Sequence, residues 1–293
     1  MYSRGGVLPG VITGDPYQKI ERFYRYGFGA LRPLPGLRYR GCTAFSSNSS
    51  LSDAVVLTGL ARAMWENGMD PSIHSACPFF EELMRYCPWG APSQGEVGVN
   101  IHKVLGIYQC GSGHVIQRLQ RAWGLAADLV PKGSILSPCP PVPRRVFTCY
   151  ASKSWIHGNE RKVLEKARAT MKQVYGELEP EGYEFVNSQY DVTFEDKFKK
   201  LASCEYYVGI PGGWMHLATA LGRKCIVFVR GIEPIRFFLP MVRDVTDMRL
   251  MWFYPQNVHL HEEEKGDSID SVTAESVTRA LTMWPEAHLF RMR

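Results

Sequence analysis

No stretch of this sequence approaches the roughly 20 apolar residues that a membrane-spanning helix needs, and its first residues lack the apolar core of a secretion signal. Cys-x-x-Cys pairs are missing too, although eight cysteines are scattered at positions 42, 77, 87, 110, 139, 149, 204 and 225. Several fall in apolar, strand-like contexts. They read as small core residues of a reducing compartment, not as a disulfide framework or a zinc site. The expected location is therefore the cytoplasm, with peripheral attachment to a membrane surface left open. The histidines show no ligand spacing, and His259 and His261 stand beside Glu262, Glu263 and Glu264 in what reads as a polar loop, so no metal site is expected. There is no Asp-x-Asp motif and no repeat of fixed period.

What is present is an ordinary globular composition, 45% hydrophobic and 22% charged, on a chain of 293 residues, which is long enough for two modest domains. The net charge of +5 is carried entirely by residues 1–40, where seven basic side chains (Arg4, Lys19, Arg22, Arg25, Arg32, Arg38, Arg40) face only Asp15 and Glu21. Aromatic residues such as Tyr17, Phe23, Tyr24 and Tyr26 interleave with them. Basic residues among aromatics suit a polyanionic partner, either nucleic acid or a phosphorylated glycolipid. The plainer reading packs this extension on the following domain with its charges solvated.

Beyond residue 40 the pattern alternates between short apolar runs and amphipathic segments. A strand is expected over Tyr39–Ser46 and a helix from Ser52 to about Asn67, with Val56, Leu60 and Met64 on one face and Gly68 at its end. Further expectations are a strand at Ser72–His74, a helix at Phe79–Tyr86, a loop over Gly90–Gly98, a strand at Val97–His102 and an amphipathic helix over His114–Gly124. Four prolines within Ser137–Pro143 mark a linker. After it, strands at 146–150, 183–186, 205–208 and 225–229 alternate with helices at 160–178, 194–202 and from 214, and a last helix is expected at 273–284. Such alternation predicts α/β domains with parallel sheets. The expected division is an extension (1–40), a first α/β domain (41–138), a linker (139–144), a second α/β domain (145–272) and a C-terminal helix (273–293).

The stretch richest in chemistry is Tyr207-Val-Gly-Ile-Pro-Gly-Gly-Trp-Met-His-Leu-Ala-Thr-Ala-Leu-Gly-Arg-Lys-Cys-Ile-Val-Phe-Val229, which reads as strand, glycine turn, short helix and strand. Gly212 and Gly213 allow a close backbone approach, and the helix behind them points free N–H groups and a positive dipole end at the turn, where a phosphate would sit. Glycine turns of this kind also arise for packing alone.

Gly-Gly-Trp-Met-His-Leu-Ala-Thr-Ala-Leu-Gly resembles the donor-site segment of heptosyltransferase-type glycosyltransferases (family nine), of the form Asp-(Ser/Thr)-Gly-x-x-His-Leu-x-Ala-Ala-Leu. Gly213, His216, Leu217, Ala218, Ala220 and Leu221 match it. Pro211 and Gly212 replace the acidic and hydroxyl residues; the acidic one is associated in that family with the donor sugar, which leaves the sugar open here. A second resemblance lies at Ser50-Leu-Ser-Asp53, similar to the family's Ser-x-Gly-Asp loop at the start of a helix, with Ser52 in place of glycine. By that resemblance Asp53 is the general base and Ser50 and Ser52 line the acceptor side; from its position alone Asp53 also reads as a helix cap. The third, Arg145-Val-Phe-Thr-Cys-Tyr-Ala-Ser-Lys-Ser-Trp155, is similar to the loop that reaches the donor phosphates. It implies a charge-neutralising Lys153 flanked by Ser152 and Ser154, against the reading of a solvated loop lysine.

The three segments fall in the family's order. The resemblance implies two Rossmann-like domains facing a cleft (GT-B architecture), an acceptor-side one at 41–138 and a nucleotide-sugar-binding one at 145–272, and a metal-independent, hexosyl- or heptosyltransferase-type enzyme. It would transfer a sugar from a nucleotide-diphosphate donor, with no cofactor besides that substrate, to an acceptor hydroxyl on a lipopolysaccharide-type glycan or a hydroxymethylated DNA base. Gly212, Gly213, Trp214, Met215, His216 and, after the last strand, Glu233 are the implied donor-binding residues; His216 also reads as a packing histidine. A sugar-nucleotide epimerase of similar fold, or a non-catalytic sugar-nucleotide or nucleic-acid binding module, remains compatible with the same residues.

Overall fold

The computed structural model describes residues 43–46, 49–93, 99–101, 114–150, 160–187, 193–230, 254–262 and 272–284. Its first half is a four-stranded parallel sheet in the order β3-β2-β1-β4, formed by β1 (Thr43–Ser46), β2 (Ser72–Ser75), β3 (Ala91–Pro92) and β4 (Val99–Asn100). Helices α1 (Leu51–Glu66), α2 (Phe80–Met84) and α3 (Val115–Ala122) accompany it. The second half is a five-stranded parallel sheet in the order β6-β5-β7-β8-β9, formed by β5 (Val142–Cys149), β6 (Glu184–Asn187), β7 (Cys204–Gly209), β8 (Lys224–Arg230) and β9 (Val258–Glu262). Helices α4 (Glu160–Leu178), α5 (Phe194–Ser203), α6 (Gly213–Ala220) and α7 (Ala274–Thr282) complete it.

Most elements fall where the alternation placed them, and the departures have local causes. Val258–Glu262 is not a polar loop but the edge strand β9: Val258 and Leu260 are buried and His259 between them is partly exposed, the period-2 signature of a strand with one wet face. Ala91–Pro92 is a two-residue strand inside the expected loop; it lies at the sheet edge, where a proline costs no ladder bond. Strand β5 begins at Val142, inside the proline-rich linker. Its register against β7 shifts between Val142 and Val146, so Pro143 falls in an irregularity, Arg144 adopts a φ of 60°, and the Arg144 N–H is taken by the Glu205 carboxylate at 2.8 Å.

The described cysteines are free, and all but the half-buried Cys139 are buried. Val56, Leu60 and Met64 are fully buried, as the helical spacing predicts. Together with Leu57, Ile73 and Ile116 they form a core that continues without a break into Met215, Leu217 and Ala218 of α6, so one core joins the halves. The segment after α3 seals this junction: Gly133 is wedged between Val55 of α1 and Ala220 of α6, Ser134 N–H donates to Thr58 Oγ1 at 2.9 Å, and Gln256 donates to the Pro131 carbonyl at 2.7 Å. A second core fills the C-terminal half, where Met171 and Val174 of α4 meet Val277 and Leu281 of α7 over β8. The C-terminal helix is thus part of that half's helical layer.

The N-termini of α1 and α6 touch. A Cβ on Gly213 would lie 2.5 Å from the Leu51 Cβ and 3.0 Å from its Cγ. Glycine is therefore dictated at 213 by the neighbouring helix. Gly213→Ala is expected to cost about 1–3 kcal/mol in chemical denaturation, the range of an overpacked contact. Adding Leu51→Ala should recover part of that loss, a coupling of roughly 0.5–3 kcal/mol; additive losses would show that the two positions do not meet.

Candidate functional site

In open parallel sheets, ligands bind outside the carboxyl ends of the strands, where the chain switches direction of growth. That point lies beside β1 in the first sheet and between β5 and β7 in the second. The loops leaving β1 and β7 lead into α1 and α6, so the Leu51–Gly213 contact lies over both switch points.

On the α1 side, Ser50 is the N-cap: it has extended backbone angles (φ −88°, ψ 130°), and its Oγ accepts the Ser52 N–H at 3.1 Å. The capping role that Asp53 could have filled is thus held by Ser50. Asp53 sits in the first turn with its side chain turned inward and only 3% exposed, and Ser46 Oγ, at the end of β1, donates to its Oδ2 at 3.4 Å. Burial pushes the Cys77 thiol upward, the Phe79 amide opposes that, and the Asp53 carboxylate adds to it. Asp53 therefore lies at the carboxyl end of β1. Ser52 is half-buried.

On the α6 side, Gly212 has extended backbone and brings no capping side chain; the first bond inside the helix runs from His216 N–H to the Gly212 carbonyl at 3.1 Å. The amides of Gly213, Trp214 and Met215 consequently have no partner within the helix. The Met215 side chain is fully buried in the shared core, so what this residue presents at the turn is its amide. Trp214 is half-buried against Phe194 and Phe147, and Lys197 of α5 stands over its ring, Nζ 4.5 Å from the centroid.

His216, one turn into α6, is 3% exposed, and its Nδ1 lies 2.8 Å from the Tyr254 hydroxyl. Burial lowers its pKa to about 4, with the Asp53 carboxylate pulling weakly the other way, so the imidazole is neutral near pH 7. It thus lies within the field of Asp53, and the resemblance-derived donor residue is also the packing histidine. Tyr254 in turn stacks on His114 with centroids 4.1 Å apart.

The structure thus brings together Ser50, Ser52, Asp53, Gly212, Gly213, Trp214, Met215 and His216. Ser152, Lys153 and Ser154, which follow β5 in the chain, and Glu233, which follows β8, lie outside the described residues, as does the extension 1–40. Sequence reasoning missed Lys197, Tyr254 and His114. Only His114 carried a local signal, a histidine opening an amphipathic helix with Gln117 three residues on; its side chain and that of Gln117 form a reciprocal cap. Among the described residues no group of three or more His, Cys, Asp or Glu is placed to hold a metal ion, and no helix is long and apolar enough to cross a membrane.

Two Rossmann-like halves whose carboxyl ends converge in this way define the GT-B fold. Solved structures share it: the heptosyltransferase WaaC of E. coli with ADP superposes with a TM-score of 0.53 at 11% identity, over 85% of this chain and 99% of that one. The same enzyme with ADP-2-deoxy-2-fluoro heptose gives 0.51 at 11% identity, over 83% and 99%. At such identities the likeness is one of fold. No protein-family model matches the sequence, and no curated protein matches it.

The buried histidine sets an acid sensitivity. An unfolded chain takes up the proton near pH 6.5, whereas folded His216 refuses it until about 4, so stability is lost as pH falls through that window. The loss approaches about 3 kcal/mol at its lower end. Thermal unfolding between pH 7 and pH 4 should show a flatter profile for His216→Gln than for the wild type; parallel profiles would place His216 outside the acid response.

Proposed function

We propose that the protein is a glycosyltransferase that moves a sugar from a nucleoside diphosphate to an acceptor hydroxyl. The observation that carries this reading is the meeting of two helix N-termini at the carboxyl ends of both sheets, one bearing Asp53 and the other three amides with no partner inside the helix and no cap from a described side chain. The fold shared with heptosyltransferases, one of them solved with ADP, supports it.

In this reading the amides of Gly213, Trp214 and Met215 accept the diphosphate, and the positive end of α6 favours its charge. Asp53 removes the acceptor's hydroxyl proton as its oxygen attacks the anomeric carbon, and the bond to the diphosphate breaks. Positive charge beside the departing group comes from Lys197 and, by the family resemblance, from Lys153, with Ser152 and Ser154 beside it; Glu233 is proposed to reach the donor ribose. No step in this scheme calls on a metal ion or on a cofactor besides the donor. Ser50 and Ser52 lie on the acceptor side. The acceptor is a phosphorylated glycan or a hydroxymethylated DNA base held by the basic residues of 1–40, and it is met in the cytoplasm or at a membrane surface. Pro211, where heptosyltransferases carry an acid, leaves the sugar open between hexose and heptose.

ADP at about 100 times its dissociation constant should stabilise the protein by about 2.7 kcal/mol in thermal unfolding; no stabilisation by ADP, UDP or GDP would overturn the reading. Asp53→Asn should lower turnover of an ADP-sugar by about 10²–10⁴ while leaving ADP affinity intact. The burial of Asp53 favours a second reading, a sugar-nucleotide-binding protein without transfer. In that case ADP binds, no turnover is found in the wild type, and Asp53→Asn changes only stability.

A further inference from the structure

Tyr254 stands just before β9 and is fully buried. Its segment is fastened to α6 at two successive turns. The Tyr254 hydroxyl meets His216 Nδ1 at 2.8 Å, and Asn257, whose N–H donates to the Tyr254 carbonyl, donates through Nδ2 to Thr219 Oγ1 at 3.0 Å. The ring is held between two imidazoles from different helices: His114 of α3 stacks on it at 26°, and His216 of α6 stands edge-on at 70°. His114 is itself fixed, because its Nδ1 accepts the Ile116 N–H at 3.2 Å as the cap of α3.

We propose that Tyr254 is a positioning residue: its hydroxyl donates to His216 Nδ1 and so fixes His216 as the neutral Nε2–H tautomer, a hydrogen-bond donor toward anionic oxygen rather than a proton acceptor. The direction of the bond follows from satisfying a buried hydroxyl. Among the described residues the Tyr254 hydroxyl has one polar partner, His216. Were the imidazole proton on Nδ1, the hydroxyl oxygen would accept it and the phenolic proton would be buried without an acceptor, which native interiors avoid. With Nδ1 bare, both groups are satisfied by one bond. Burial, and after it Cys225, raise the phenol well above its ordinary range, so it keeps the proton it donates. Among the described residues Asp53 and His114 are titratable groups near His216; the first favours a donor on the imidazole, and the second is held in its own tautomer by the cap. The ligand chemistry that an Nε2–H can serve is a carboxylate or a phosphate oxygen. Its use on a departing diphosphate rests on the glycosyltransferase reading, whereas the tautomer does not.

Long-range ¹H–¹⁵N spectra of the histidine side chains test the tautomer in the free protein. The wild type should show His216 with a bare Nδ1 and a protonated Nε2 throughout pH 5–8. A protonated Nδ1 there overturns the proposal without recourse to any variant. Tyr254→Phe, which removes only the hydroxyl, should populate the second tautomer and move the His216 titration upward, since a donor to the neutral ring has been lost. An unchanged tautomer and midpoint in a folded variant would equally overturn it. In turnover of an ADP-sugar, Tyr254→Phe should lower kcat and weaken ADP binding together, and Tyr254→Leu should behave alike; unchanged kcat and ADP affinity with a shifted tautomer would remove the link to the diphosphate while leaving the tautomer assignment standing.

Discussion

Everything proposed for this protein depends on the packing of Leu51 against the bare backbone of Gly213. That contact brings two helix N-termini together over the ends of two sheets. It is made inside a continuous core that runs from Val55 and Leu60 to Met215 and Leu217, so the halves are joined by buried apolar surface and not by a linker alone. Burying such side chains stabilises by about 1.5–3 kcal/mol each, which makes the junction a fixed platform for the loops above it.

The contact also creates an electrostatic problem whose solution points to function. Each helix N-terminus carries roughly half a positive charge, and placing two side by side is unfavourable unless something negative is near. Asp53 supplies one negative group, and Ser50 satisfies an amide on its own helix. His216 is kept neutral by burial, so no further positive charge is added at that depth. On α6 no side chain among the described residues caps the N-terminus, and Lys197 adds a cation over Trp214. The remaining imbalance is one that an anionic ligand would offset, and a diphosphate fits both its sign and the fan of amides.

Much of this was legible in the sequence, because the elements involved are local. The Gly-Gly turn, the short helix closed by Gly222 with φ +73°, and the apolar strand behind it follow from residues adjacent in the chain. So does α1, whose buried face is written in a 3.6-residue spacing. What stayed hidden depends on residues distant in sequence. Leu51 could not be seen to dictate the glycine at 213, so Gly213 read as a ligand-contact glycine before it read as a packing one. Met215 belonged to the motif but its side chain went to the core. Tyr254 lies in a segment without periodicity, and only the fold places it on His216. Strand β9 was hidden by its polar wet face, and the start of β5 by prolines that a bulge accommodates.

Backbone hydrogen exchange with and without ADP tests the central claim most directly, since it reads both helix ends at once. The account predicts slowed exchange at residues 51–54 and 213–216 together when ADP is present, the first through the shared junction and the second through contact. Protection that appears elsewhere and leaves both helix starts unchanged would contradict it.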